Sequence, residues 1–230
     1  MVTTEQSKKE FPTGIFIAFT IIMLWACSLI FLLVNDYSFS LFATILFILI
    51  QTHLYTGLFI TAHDAMHGTV SSNKKINDGI GNLVTMLYAL FPYKKLLTKH
   101  HIHHKEVHTE NDPDYYNGNF FVWYFYFIKR YLTIWQFIAM AAIFNVLAIW
   151  IPEKNLILFW VIPSALSTLQ LFYFGTYLPH KGEHENIHHS RTQKKNHFIA
   201  FITCYFFGYH FEHHDKPGTP WWKLYQLKNN

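Results

Sequence analysis

Residues 38–67 read SFSLFATILFILIQTHLYTGLFITAHDAMH, and this stretch decides the architecture. Its first part, 38–62, contains no Asp, Glu, Lys or Arg. It is longer than the roughly 20 residues with which a helix crosses the hydrocarbon core of a bilayer. Directly after it stand His63 and His67, at i and i+4. If the helix continues by one turn, both imidazoles share one face. The segment therefore predicts a membrane helix that ends in a pair of metal-ligating side chains.

Working outward, residues 14–35, 131–152 and 155–179 are also free of formal charge, and each is long enough to cross. A soluble core helix is usually shorter and shows a polar face. Composition agrees: 51% of residues are hydrophobic and 14% charged, against about 25% charged in soluble domains. The 230 residues allow one domain, 1–230. Lys8 and Lys9 precede the first span as in a signal peptide. The apolar run is too long for one, however, and continues past Leu24-Trp25-Ala26-Cys27, so it reads as an anchor behind a polar leader, 1–13. The expected fold is an all-α integral membrane protein, with four transmembrane helices and a cytoplasmic, histidine-rich cap.

Four crossings place both termini on one side. The short connections on the other side, 36–37 and 153–154, hold only Lys154 of the 18 Lys and Arg. The positive-inside rule then makes the side of the termini the cytoplasm. All 16 histidines but His53 fall on that side, at or beyond span ends. Between the two hairpins, residues 79–92 are apolar but too short to cross and read as re-entrant or interfacial. The aromatic cluster 120–127, before Lys129 and Arg130, resembles an interfacial belt. Cys27 and Cys204 both lie in apolar surroundings and support neither a disulfide nor a thiolate metal site.

Two further clusters have helical spacing. His100, His103 and His104 form a His-x-x-His-His box, and His210, His213 and His214 form another. Positions i, i+3 and i+4 share a helix face, so each box is expected to aim its imidazoles at one point. Neutral imidazole suits iron, zinc or copper. With His63 and His67 the boxes supply eight histidines, more than one ion coordinates, and two ions fit. No phosphate-binding Gly-rich loop or haem-attachment motif occurs. A metal transporter would need ionisable ligands along a path across the bilayer, and only His53 lies within the core.

Asp64, Asp112, Asp114 and Glu212 stand near the boxes and are expected to orient metal-bound imidazoles, which commonly donate their other N–H to a carboxylate. Asp215 reads as a solvated charge. His101 points away from the face of its box, His108 lies one i+4 step along it, and His197 reads as interfacial.

These boxes resemble the integral-membrane fatty acid desaturase, hydroxylase and alkane-monooxygenase superfamily. Within it, the chain is similar to the bacterial β-carotene ketolases. The similarity runs through His63-Asp64-Ala65-Met66-His67-Gly68, His100-His101-Ile102-His103-His104 and Asp112-Pro113-Asp114-Tyr115. It continues in residues 174–180, His188-His189-Ser190-Arg191, residues 208–214 and the Trp221-Trp222 pair. The boxes alone specify the superfamily and fit carotenoid hydroxylases and acyl-lipid hydroxylases or desaturases equally well. Residues 174–180 and 209–222 single out the ketolases.

The resemblance implies two ferrous irons held largely by histidines, dioxygen as co-substrate, and oxidation of the C4 methylene of a β-ionone ring to a ketone. It implies a ninth ligand beyond a later span, for which His180 is the first candidate and His188 the second. His184 could substitute if the segment stays helical, a continuity that Gly182 weakens, and His189 takes a supporting role. A carotenoid entering from the bilayer, a ferredoxin-type donor on the basic cytoplasmic face and a bacterial inner membrane complete the expectation. No nucleic-acid partner is expected.

Overall fold

The computed structural model describes residues 13–35, 38–194 and 196–228. The expected connection 36–37 and nearly all of the leader 1–13 lie outside them. Helices form throughout, and among the described residues only an isolated bridge between Thr192 and Tyr209 is extended pairing.

Helix α1 covers Thr13–Val34 and α2 covers Leu41–Met66. Ser40 caps α2, its Oγ accepting the Ala43 N–H at 3.3 Å. The N-terminal half of α2 exposes Leu41, Phe42 and Leu49, and α1 exposes Phe16 and Phe19. Large apolar side chains left uncovered on helices of this length are the surface that lipid would cover. From Tyr55 to Met66, by contrast, α2 is almost wholly buried and forms the centre of the molecule. Polar side chains tie it to its neighbours. Thr56 Oγ1 donates to Gln170 Oε1 at 2.5 Å, and Gln170 Nε2 donates to the Thr203 carbonyl at 2.6 Å.

Helix α2 does not stop at residue 62. It continues to Met66, because Asp64, Ala65 and Met66 are compatible with another turn, and so it carries His63 within its last turn. Residues 79–92, expected to be re-entrant or interfacial, form most of helix α3 (Lys74–Ala89) and the turn after it, from which α4 (Tyr93–Lys105) starts. Asn73 caps α3, and Leu90, at φ 56°, ends it in the left-handed region. Gly81 lets the two helices close up: a Cβ there would come within 2.4 Å of the Tyr93 ring.

The expected third span, 131–152, has different ends here. Helix α5 (Phe120–Tyr131) stops at Leu132, and α6 (Ile134–Leu147) restarts from a capping box between Thr133 and Gln136, bent 84° from α5. The 14 residues of α6 rise only about 21 Å, less than the roughly 30 Å of a hydrocarbon core. Among the described residues, three helices are long and apolar enough to cross a membrane, and a fourth crossing exists if the bent pair α5–α6 is one span.

The last long helix, α7 (Glu153–His180), spans 28 residues and reaches past the expected 155–179. Two π-helical stretches interrupt it, Ile157–Val161 and Phe172–Tyr177. Each ends two residues before a proline, Pro163 and Pro179. Proline offers no N–H and crowds the carbonyl four residues back, and a widened turn relieves both effects without breaking the helix. Helices α8 (His197–Cys204) and α9 (His210–Asp215) then fold across the end of the bundle.

Candidate metal centre

Four helix ends meet at one place: the C-terminus of α2, the C-terminal half of α4, the last turn of α7, and α9. Their histidines gather in two sets. His63, His67, His100, His104 and His213 have ligand nitrogens all within 4.8 Å of one another, and so do His103, His180, His210 and His214. The sets adjoin, with the rings of His104 and His214 stacked at 4.2 Å.

The expectation that each box aims at one point needs correction. Both boxes are split between the sets. At 3.6 residues per turn, i and i+4 lie about 40° apart around the helix, while i+3 lies about 60° to the other side. His100 and His104 therefore face one set and His103 the other; His210 and His214 face the second set and His213 the first. Two short helices packed with their histidine faces together interleave their boxes, and each set draws on both.

The nitrogens converge in a way that hydrogen bonding alone does not explain. Nε2 of His67 lies 2.7 Å from that of His100, and Nε2 of His210 lies 3.0 Å from that of His214. Nε2 of His213 faces His63 at 3.1 Å and His104 at 3.0 Å simultaneously. A neutral imidazole has one N–H to give. Two nitrogens each about 2.1 Å from a shared ion, at right angles, stand about 3.0 Å apart, so the spacing fits nitrogens that share a metal.

Two of the rings have their tautomer set from behind. His103 Nδ1 donates to Asp112 Oδ1 at 2.9 Å, and His180 Nδ1 donates to the His189 carbonyl at 2.8 Å. Both leave an Nε2 lone pair, buried and without a hydrogen-bond partner in the protein, facing the second set. Burial, with the neighbouring His67 and His103 charges, pushes His104 down to about 2, so it presents a neutral ring. Burial acts on His103 in the same direction, but the charges of Asp114 and Asp112 outweigh it and hold this ring above the ordinary histidine value. An all-imidazole donor set of this kind fits a pair of iron, zinc or copper ions.

The other expected residues fall in distinct places. His108 is not a further step on the α4 face. The helix ends at Lys105, and His108, at φ 66°, donates from Nε2 to the His180 carbonyl at 2.9 Å. His184 and His188 lie in neither set, because α7 ends at His180 and Gly182, at φ 82°, turns the chain away. His188 instead lies 3.7 Å from Asp215. His189 contributes its carbonyl to His180, and its ring stacks on His108 at 5.4 Å. His101 lies 3.2 Å from the Met66 carbonyl, and His197 Nδ1 lies 2.9 Å from the Tyr209 hydroxyl. His53 stacks on Tyr205 at 4.2 Å inside the bundle.

Among the expected carboxylates, Asp112 alone is hydrogen-bonded to an imidazole of either set. Asp64 accepts the Trp221 N–H at 3.1 Å and stands 3.7 Å from His63 Nδ1, beyond a hydrogen bond. Asp114 is bound by the Tyr131 hydroxyl and Glu212 by the Thr192 hydroxyl. Sequence reasoning passed over Tyr131, Arg130 and Phe207. Arg130 donates to the carbonyls of Asp112 and Pro113, both at 3.2 Å, and steadies the loop that presents Asp112. Phe207 packs on His63 at 4.7 Å. These contacts join residues far apart in the chain and leave no local pattern.

An apolar pocket opens onto both sets. Phe59, Met66, Phe91, Phe127 and Leu171 line it together with His63, His100, His103 and His210.

Comparison with known proteins agrees with this geometry. A family profile described as fatty acid desaturase matches residues 38–138 and 116–230. A zeaxanthin 4-ketolase from Chlamydomonas reinhardtii is 39% identical over 232 residues, covering 92% of this chain and 52% of that protein. A β-carotene ketolase from a Paracoccus strain is 40% identical over 179 residues, covering 75% of this chain and 74% of its own. A β-carotene 4-ketolase from Haematococcus lacustris is 40% identical over 74% of this chain and 58% of its own. The chain thus spans about half the length of the first of these relatives. No solved structure matches the chain.

Proposed function

The chain belongs to the fatty acid desaturase family, and on that premise we propose that it is a membrane oxygenase that converts the C4 methylene of the β-ionone rings of β-carotene to a ketone. The observation that carries this reading is the pair of adjoining histidine sets, members of which line one largely apolar pocket, in a chain 40% identical to a named β-carotene ketolase over three quarters of its length.

Two ferrous ions, one held by His63, His67, His100, His104 and His213 and the other by His103, His180, His210 and His214, would supply reductive activation of dioxygen. The chain's own residues do the rest. Asp112 and the His189 carbonyl hold the protons of His103 and His180 on Nδ1, which keeps their Nε2 atoms available as ligands. The apolar walls admit a hydrocarbon ring from the bilayer, exclude water and set which carbon lies nearest the centre.

Each oxidation replaces one C4–H by C4–OH. It consumes one dioxygen, two electrons and two protons and releases one water. A second round gives a geminal diol, which loses water to leave the ketone. The electrons come from a ferredoxin-type donor, for which the exposed Lys94, Lys95 and Lys105 beside the centre form a basic approach. The single domain 1–230 lies in a bacterial inner membrane with the histidine end cytoplasmic, as Lys154's isolation among 18 basic residues supports.

The test is expression of the chain in a host that accumulates β-carotene, with pigments identified by chromatography and mass. Echinenone and canthaxanthin are the expected products. C3 alcohols alone, with metal loaded and a donor active, would overturn the ketolase assignment.

A further inference from the structure

We infer that Asp114 and Tyr131 hold the hydroxyl of the half-oxidised ring, keeping the C4 alcohol at the centre for its second oxidation; this rests on the ketolase reading above. Both residues line the apolar pocket beside His103. The Tyr131 hydroxyl donates to Asp114 Oδ1. The other carboxylate oxygen, Oδ2, lies 4.0 Å from His103 Nδ1, too far for a hydrogen bond, and that nitrogen already serves Asp112.

The Asp114 side chain is not needed to shape its loop. The main chain is held separately, the Asp114 N–H donating to Asp112 Oδ1 at 2.8 Å and its carbonyl accepting Trp123 Nε1–H at 2.6 Å. Tyr88, another hydroxyl on the pocket wall, is already engaged with Ser167 at 2.8 Å and Thr168 at 2.9 Å. Asp114 is therefore a carboxylate on the wall of a largely apolar pocket, its Oδ2 not engaged by His103.

A carboxylate in such a space costs desolvation unless it finds a donor. A β-ionone ring without oxygen offers none, so the pair contributes nothing to binding the starting pigment. The C4 alcohol is different: its O–H can donate to Asp114 Oδ2, a charge-assisted bond stronger than a neutral one. The ketone has no O–H and loses that bond. The pair thus discriminates by oxidation state, gripping the alcohol and releasing the product. The retained alcohol still carries one C4–H. Its replacement by a second hydroxyl takes one dioxygen, two electrons and two protons and releases one water, after which the diol loses a second water.

A hydroxyl already present at C3 of an incoming ring has the same donor chemistry, and the experiment separates the two sources. Membranes bearing the full chain, Asp114→Asn or Tyr131→Phe are supplied with donor, oxygen and either β-carotene or a C3-hydroxylated carotenoid, and bound metal is measured in parallel. Tyr131→Phe keeps the ring packed on Phe127 at 4.9 Å and under Lys99 at 4.6 Å. With β-carotene, the ratio of C4 alcohol to ketone is expected to rise about tenfold in Asp114→Asn, and by less in Tyr131→Phe, at wild-type metal content. An unchanged ratio in both variants, while the wild type makes ketone, overturns the inference. Loss of metal from both variants also overturns it, because Asp114 then acts through His103. So does a defect confined to C3-hydroxylated rings. A wild type that makes no ketone removes the ketolase reading itself.

Discussion

Oδ1 of Asp112 stands 2.9 Å from Nδ1 of His103, and neither side chain reaches solvent. The same carboxylate accepts the main-chain N–H groups of His108 at 2.9 Å and Asp114 at 2.8 Å. One buried anion thus orients a ring of the second histidine set and closes the loop after α4. Asp112→Asn turns an NH2 toward an existing N–H donor and removes the charge that holds the ring. Metal affinity or turnover should fall by about 10–100-fold, measured by metal titration of the isolated protein and by product formation. Wild-type affinity and turnover in this variant would show that the contact is incidental.

The two sets predict two metal ions per chain and a sharp division among histidines. His213→Ala removes the ring that faces both His63 and His104, and His180→Ala removes a ring of the other set. Each should lower the bound metal and abolish turnover. His197→Ala should retain both, since that ring's partner is the Tyr209 hydroxyl, outside either set. Metal analysis after anaerobic purification checks this, and a reproducible stoichiometry near one in the wild type would contradict it.

Gly175 sits in the second π-helical stretch of α7, and a Cβ there would stand 2.3 Å from the Phe207 ring. Phe207 packs in turn on His63 at 4.7 Å. Gly175→Ala should therefore push Phe207 toward the first histidine set. The expected cost is about 1–3 kcal/mol, as for other overpacked interiors, together with weaker metal binding. Thermal unfolding in detergent and metal titration measure the two effects; a variant unchanged in both would show that Phe207 can move aside freely.

The basic-residue asymmetry predicts sidedness. On a background with Cys27 and Cys204 replaced by serine, a cysteine at Gln226 should resist an impermeant thiol reagent in intact cells, while one at Lys154 should react. Labelling of both positions from outside would require an even number of crossings between them, and would contradict a single crossing by α7.

Residues 14–35, 38–62 and 155–179 were legible as membrane helices, because absence of charge over the length of a bilayer is a local property of the chain. The histidines of the two sets were legible as well: helical spacing places His100 with His104, and His210 with His214, whatever surrounds them. Spacing gives angles about one helix axis and says nothing of what faces it. Only the tertiary structure decided that each box divides between two sets, because that depends on α4 and α9 meeting across the ends of α2 and α7. It also decided that Asp112, rather than Asp64, Asp114 or Glu212, supports an imidazole: all four stand near histidines in the chain, and the loop tied down by Arg130 brings only one into reach. The break at Leu132 and Thr133 went unread for a similar reason. An uninterrupted apolar run permits a straight helix, and it was the capping box, stabilised in its packed setting, that turned the chain by 84°.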